Sequence, residues 1–230
     1  MNISYKVDLS ILKKFRIDKN KYYILDFETI QEGEKVAEKN NIYYPYHVVS
    51  FALVKNNENS YSKNYYDNFT IAKKNKFETQ LYLIEKLINL YDDNLPVLVW
   101  SNSLEINILK FWIDISSKIS KEMSEKLDRL LNNIVDFQDY FDPSNGYFSV
   151  ENENKKSLDF IINSIDNKRN TYDIKSRECS IKSLELYRVI KKNKYYKSKL
   201  KNISKLIRIH NENDVDKIYF LIEWVRDKIV

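Results

Sequence analysis

Residues 22 to 30, Tyr-Tyr-Ile-Leu-Asp-Phe-Glu-Thr-Ile, form a dense apolar run interrupted by two acids, the pattern of a strand buried on both faces. Pro45 to Lys55 predicts a second strand, and the tyrosine-bearing stretch Ser60 to Thr70 a weaker third that completes an antiparallel meander. The period then changes. Phe77, Leu81, Ile84, Leu87, Ile88 and Tyr91 recur at helical spacing up to Asp92-Asp93-Asn94. After Pro96, Val97 to Trp100 predicts a short buried strand, and Ser101-Asn102-Ser103 a cap-like entry to a helix carrying Ile108, Leu109 and Trp112. Residues 119 to 133 predict a helix, Asn133 to Phe137 a fifth strand, and Asp142-Pro143-Ser144-Asn145-Gly146 a turn. Further helices are predicted over Lys155 to Ile165, Ser180 to Lys192 and Leu206 to Ile229. This order describes an α/β domain with a mixed sheet and helices on its faces. Residues 22–230 read as one domain behind an N-terminal extension, residues 1–21.

Composition narrows the chemistry mainly through what is scarce. Gly33 and Gly146 are the only glycines, so a P-loop, a dinucleotide fingerprint and a nucleophile elbow, each needing closely spaced glycines, are excluded. His47, His210 and Cys179 are the only residues of their types and cannot assemble a local zinc motif or HExxH pair. A bound metal would therefore be held by carboxylates, which suit Mg²⁺ or Mn²⁺. No apolar run approaches the roughly 18 residues of a membrane span, and the N-terminus has no signal-like apolar region, so a cytoplasmic protein is expected. The net charge of +5 fits a polyanionic partner or simple compositional drift. Lys191 to Lys205, a basic stretch with Tyr195 and Tyr196 inside it, reads either as a solvated surface or as a contact for nucleic acid.

Four acids fall where apolar residues are expected. Asp26 and Glu28 share one face of the first strand beside Ile24. Two adjacent, buried carboxylates repel, and a fold tolerates them mainly when a cation or a shared proton neutralises the pair. Glu105 precedes Ile108, Leu109 and Trp112 by three, four and seven positions, so a helix directs it toward the sheet, in a first turn whose dipole also favours negative charge. In the last helix, Asp214 extends the stripe of Val215, Ile218, Tyr219 and Ile222, with His210 one turn earlier and Asp216 and Lys217 pointing elsewhere. Inward acids from a first strand, a helix after the fourth strand and a final helix are the material of a two-cation clamp for phosphodiester hydrolysis.

The motif Tyr23-Ile24-Leu25-Asp26-Phe27-Glu28-Thr29 resembles the D-x-E on the first strand of RNase H-like 3′-5′ exonucleases of the DEDD (DnaQ-like) superfamily. Val99-Trp100-Ser101-Asn102-Ser103-Leu104-Glu105 is similar to the Asn-x-x-Glu form of its RecB-associated and uncharacterised branch. His210-Asn211-Glu212-Asn213-Asp214-Val215 is similar to that branch's Tyr-Asn-x-x-Asp-Val. Val135-Asp136-Phe137 and Lys156-Ser157-Leu158 fall where the branch carries an Asp-bearing strand and a helix start. The chain departs from the superfamily at Glu105, where most relatives have Asp, and at His210, separated from Asp214 by the three-residue gap usual for Tyr. The resemblance implies an RNase H-like mixed five-stranded sheet, a three-strand antiparallel meander plus parallel strands, flanked by helices. It also implies two Mg²⁺ or Mn²⁺ ions held by Asp26, Glu28, Glu105 and Asp214, with His210 assisting the attacking water. The expected substrate is a DNA or RNA single-stranded 3′ end, with Thr29, Asn102, Lys194, Tyr195 and Tyr196 as candidate substrate contacts and Tyr43, Tyr44 and His47 as another rim. A partner nuclease or helicase subunit is compatible with this reading. The alternative is a catalytically inactive RNase H-like module that binds nucleic acid or a partner nuclease.

Overall fold

The computed structural model describes residues 17, 20–30, 47–58, 60–71, 75–91, 94–145, 156–166, 176–191 and 197–227. Five strands, β1 (Lys21–Thr29), β2 (Val48–Asn57), β3 (Ser60–Asp67), β4 (Val97–Val99) and β5 (Ile134–Asp136), form one sheet in the order β3-β2-β1-β4-β5. The β1–β2 and β2–β3 pairs are antiparallel, whereas β4 and β5 run parallel to β1. This is the RNase H-like mixed sheet, with helices α1 (Lys76–Leu90), α2 (Ser103–Ser117), α3 (Lys121–Asn132), α4 (Leu158–Ile165), α5 (Ser176–Lys191) and α6 (Lys197–Asp227) around it.

Alternation along β1 divides the core in two. Tyr23, Leu25 and Phe27 face one side, where they pack with Phe51, Leu53, Val97 and Val99 against α1, α2 and α3 through Leu83, Ile84, Ile108, Trp112 and Leu127. Tyr22 and Ile24 face the other, packing with Val54 and Leu98 against Ile161 of α4 and Val215, Ile218, Ile222 and Val225 of α6. Both faces of β1 are thus covered, which explains the near-continuous apolar run. Ile17, on the N-terminal side of the expected domain boundary, is fully buried in the second core, and Arg226 near the end of α6 donates to its carbonyl at 2.6 Å.

A third apolar cluster joins Ile30 and Val49 to Cys179, Leu184 and Leu186 of α5 and to Ile203 and Ile207 of α6. It pins these helices against the C-terminal end of β1. There a β-bulge between Glu28 and Thr29 shifts the pairing with β2, and buried Gln80 satisfies Val48, accepting from its N–H at 3.3 Å and donating to its carbonyl at 2.9 Å. Bulges commonly re-aim side chains next to functional sites.

The expected elements and the observed ones differ at several ends. The third strand stops at Asp67, and a single 3₁₀ turn follows at Phe69–Ile71. The last helix begins at Lys197 rather than near Leu206, because its lysine- and serine-rich opening turns carry little periodic apolar signal. Asn102 holds the N-cap position of α2, yet its side chain makes no capping bond. The cap comes from β5 instead: Asp136 accepts from the backbone N–H groups of Ser101 and Asn102, each at 3.0 Å. That carboxylate holds Ser101 at φ 66°, a left-handed conformation unusual for serine, and thereby sets the direction in which α2 leaves the sheet. Among the described residues no helix is long and apolar enough to cross a membrane.

Candidate metal centre

Asp26 and Glu28 continue the face of β1 that carries Tyr22 and Ile24, and in register they stand opposite Ala52 and Ser50 of β2. The core that shields this face is made largely by α6, whose apolar stripe also delivers His210, Asn211 and Asp214 to the two acids. One carboxylate oxygen from each of Asp26, Glu28 and Asp214 lies within 4.8 Å of the others. His210 Nε2 stands 3.4 Å from Glu28 Oε1 and 3.8 Å from Asp214 Oδ2, so the imidazole leans on two of the three acids.

Electrostatics show what this assembly costs. Burial, followed by the charges of Glu28, Asp214 and Glu105, holds the Asp26 carboxyl well above the usual carboxylate range, and a bond from Asn211 works in the opposite direction. An oxygen-only set of three convergent carboxylates fits a hard divalent cation, which would remove this repulsion.

Glu105 is buried in the first turn of α2, as its place on the apolar stripe predicts, but it is not one of the three close acids. Its Oε2 has no hydrogen-bond partner among the described residues. Burial first, then the nearby charges of Asp136 and Glu28, push its carboxyl up to about 8, against the pull of its own backbone N–H. Between the unfolded value of 4.5 and about 8, the folded chain retains a proton that the unfolded chain has released, so this contribution is fully present below the unfolded value and is lost as pH rises. The slope for one such group is at most about 1.4 kcal/mol per pH unit. Urea titrations of the EDTA-treated protein should show stability falling from about pH 5 to about pH 8, and Glu105→Gln should flatten that fall. An unchanged slope in Glu105→Gln would mean that Glu105 is already ionised and solvated in the native state.

Three participants were not foreseen from the sequence. Asn211 donates through Nδ2 both to the Asp26 carbonyl, at 3.1 Å, and to Asp26 Oδ2, while its own Oδ1 accepts from Ser50 Oγ at 3.3 Å. It fixes the rotamer of Asp26; the sequence carried it as the Asn of the Tyr-Asn-x-x-Asp-Val-like motif, three positions before Asp214 on the same helical face, but gave it no role. Lys217 was expected to point away, yet its ammonium lies 2.7 Å from Asp214 Oδ1 and 2.8 Å from Asp159 Oδ1 of α4. A long lysine stem can curl back over one helical turn to reach an acid, which a wheel projection of Cβ positions does not register. Cys179, the single cysteine, lies against Glu28 and His210.

Of the candidate substrate contacts, Thr29 is buried just past the bulge, and Asn102 is half-buried at the start of α2. Lys194, Tyr195 and Tyr196 lie outside the described residues, as do Tyr43 and Tyr44. His47 is buried, with its carbonyl accepting from Ile30 N–H at 3.0 Å, so it supplies no exposed rim.

A family model described as a domain of unknown function, DUF2779, matches residues 23–157, more than half of the chain. The protein belongs to the DUF2779 family. Neither the curated proteins nor the solved structures include a match. The DUF2779 match begins in β1 and takes in Asp26, Glu28, Glu105 and Asp136, whereas Cys179, His210, Asn211 and Asp214 come from α5 and α6 beyond its end.

Proposed function

We propose that this DUF2779 protein is a Mg²⁺- or Mn²⁺-dependent nuclease that hydrolyses DNA or RNA phosphodiesters, acting as a 3′-5′ exonuclease. The observation that carries the reading is the convergence of Asp26, Glu28 and Asp214 at one end of an RNase H-like sheet. The orphaned Oε2 of Glu105 supports it, because a buried carboxylate oxygen without a donor is costly unless a cation or a proton serves it. Asp26, Glu28 and Asp214 would hold the ions, whose positive charge would in turn favour the ionised form of the nearby Glu105. Bound Mg²⁺ or Mn²⁺ supplies an activated water and stabilises the leaving oxygen.

The chain's own residues do the rest. Asn211 and Ser50 keep the Asp26 carboxylate in one orientation, so its placement costs little reorganisation. His210, buried and close to both Glu28 and Asp214, orients the attacking water or accepts its proton. The bulged end of β1 and the α2 entry held by Asp136 border the acids, the stretch along which a strand end would approach.

A second reading, an inactive RNase H-like binding module, rests on Lys217, whose ammonium already neutralises part of the Asp214 charge without any metal. One assay separates the two. Oligonucleotides of DNA and of RNA, labelled at the 5′ end, should be shortened stepwise from the 3′ end in Mg²⁺ or Mn²⁺ and remain intact in EDTA. A 3′-terminal block should slow the reaction. Intact substrates under every metal condition, with binding retained, would favour the module; cleavage that survives EDTA would remove the metal mechanism.

A further inference from the structure

Behind the acid group lies a second constellation with different chemistry. Glu28 of β1, Cys179 of α5 and His210 of α6 are 7%, 0% and 2% exposed, and one ligand atom from each lies within 4.8 Å of the others. Buried cysteines usually pack as small apolar side chains. Cys179 does so on one side, in the cluster with Ile30, Leu184 and Ile207, but on the other it meets a carboxylate and an imidazole.

We propose that Glu28, Cys179 and His210 form a Zn²⁺ site, distinct in ligand type from the acid group and sharing Glu28 with it. The first support is geometric. Ligand atoms about 2.0 to 2.2 Å from a tetrahedral ion stand roughly 3.4 Å from one another, and His210 Nε2 and Glu28 Oε1 are 3.4 Å apart. That separation is longer than the roughly 2.7–2.9 Å of a charge-assisted hydrogen bond. The second support is charge: one carboxylate, one thiolate and a neutral imidazole balance a dication, so the loaded site is neutral in a place where net charge is expensive. The third is ligand character. Thiolate and imidazole select zinc over magnesium, whereas the neighbouring oxygen-only group has the opposite preference. Binding forms a zinc–sulfur bond and releases the thiol proton to solvent, with no change in oxidation state. Three protein ligands leave a fourth position for water.

A Zn²⁺ here would engage Glu28 and the Nε2 of His210 together, both of which the nuclease reading uses. On the reading proposed above, Zn²⁺ bound here withdraws Glu28 from the Mg²⁺ or Mn²⁺ group and inhibits the nuclease, making the site a regulatory one.

The test uses the full chain and metal alone. Co²⁺, a spectroscopic stand-in for Zn²⁺, should bind at one equivalent with a thiolate-to-cobalt charge-transfer band, and Zn²⁺ should displace it. Cys179→Ser should lose the band and bind Zn²⁺ more weakly by over about 100-fold, beyond the 10–100-fold cost of losing an outer contact. Asp214→Asn should keep the band and lose no more than the 10–100-fold of an outer contact, because Asp214 touches the site only through His210. A wild-type cobalt complex without the thiolate band, or equal Zn²⁺ affinity in wild type and Cys179→Ser, would overturn the site. Neither readout requires nuclease activity, so a failed nuclease reading leaves this result standing, and the reverse. In the cleavage assay, Zn²⁺ should inhibit wild type but not Cys179→Ser; equal inhibition would overturn the regulatory role.

Discussion

Asp26→Asn is expected to abolish Mg²⁺- or Mn²⁺-supported cleavage while leaving the metal-free protein as stable as wild type or more so. Its carboxyl stands among Glu28, Asp214 and Glu105, and burial together with those charges already holds it toward the protonated form. Asparagine is neutral without having to take up a proton and still offers Asn211 an oxygen to donate to, so repulsion in the metal-free protein does not rise and the local bonding survives. Metal stabilisation of a phosphoryl transition state amounts to several kcal/mol, and at 1.4 kcal/mol per decade the loss in rate should reach about 10³-fold or more. Mg²⁺ should also cease to raise the melting temperature, because the variant no longer binds the ion preferentially in the folded state. A variant that fails to fold, compared by circular dichroism with wild type, would assign Asp26 a structural role instead.

His210→Ala is the second large effect. If the imidazole orients the attacking water or takes its proton, the rate should fall by roughly 10²-fold or more with little change in the affinity for substrate. The position supports a direct role: Nε2 stands between Glu28 and Asp214, buried, at the turn of α6 that crosses the end of β1. A near-normal rate would reduce His210 to a packing residue between α6 and the sheet. Because His210 also belongs to the proposed zinc ligands, its removal should abolish Zn²⁺ binding in parallel. Cys179→Ser should separate the two functions, losing Zn²⁺ while cleaving at close to the wild-type rate.

Much of the architecture is legible in the sequence. The two-faced burial of β1, the change from period two to period 3.6 after β3, and the strand-to-helix switch at Ser101 are local signals, and each corresponds to an observed element. Element ends were less legible. The opening turns of α6 are rich in lysine and serine and so carry little apolar period, and α2 is capped by an aspartate on β5, 34 residues away in the chain.

The candidate site divides along the same line. A strand of period two places Asp26 and Glu28 on one face, and a helix of period 3.6 places His210 with Asp214 and turns Glu105 inward; these follow from backbone geometry that every such element shares. What period cannot give is distance between elements. Only packing of α6 across β1 brings Asp214 to Asp26 and Glu28 while leaving Glu105 outside the closest group. Asn211 acquires its purpose from Ser50 and Asp26, 161 and 185 residues away. Lys217 reads as pointing away from the acids and Cys179 as a lone thiol unable to build a local zinc motif, until α4 and α5 settle against the sheet. The chain's periodicity set which residues face inward; the tertiary fold decided which of them meet, because carboxylates, imidazole and thiol interact over a few ångströms in space whatever their separation in sequence.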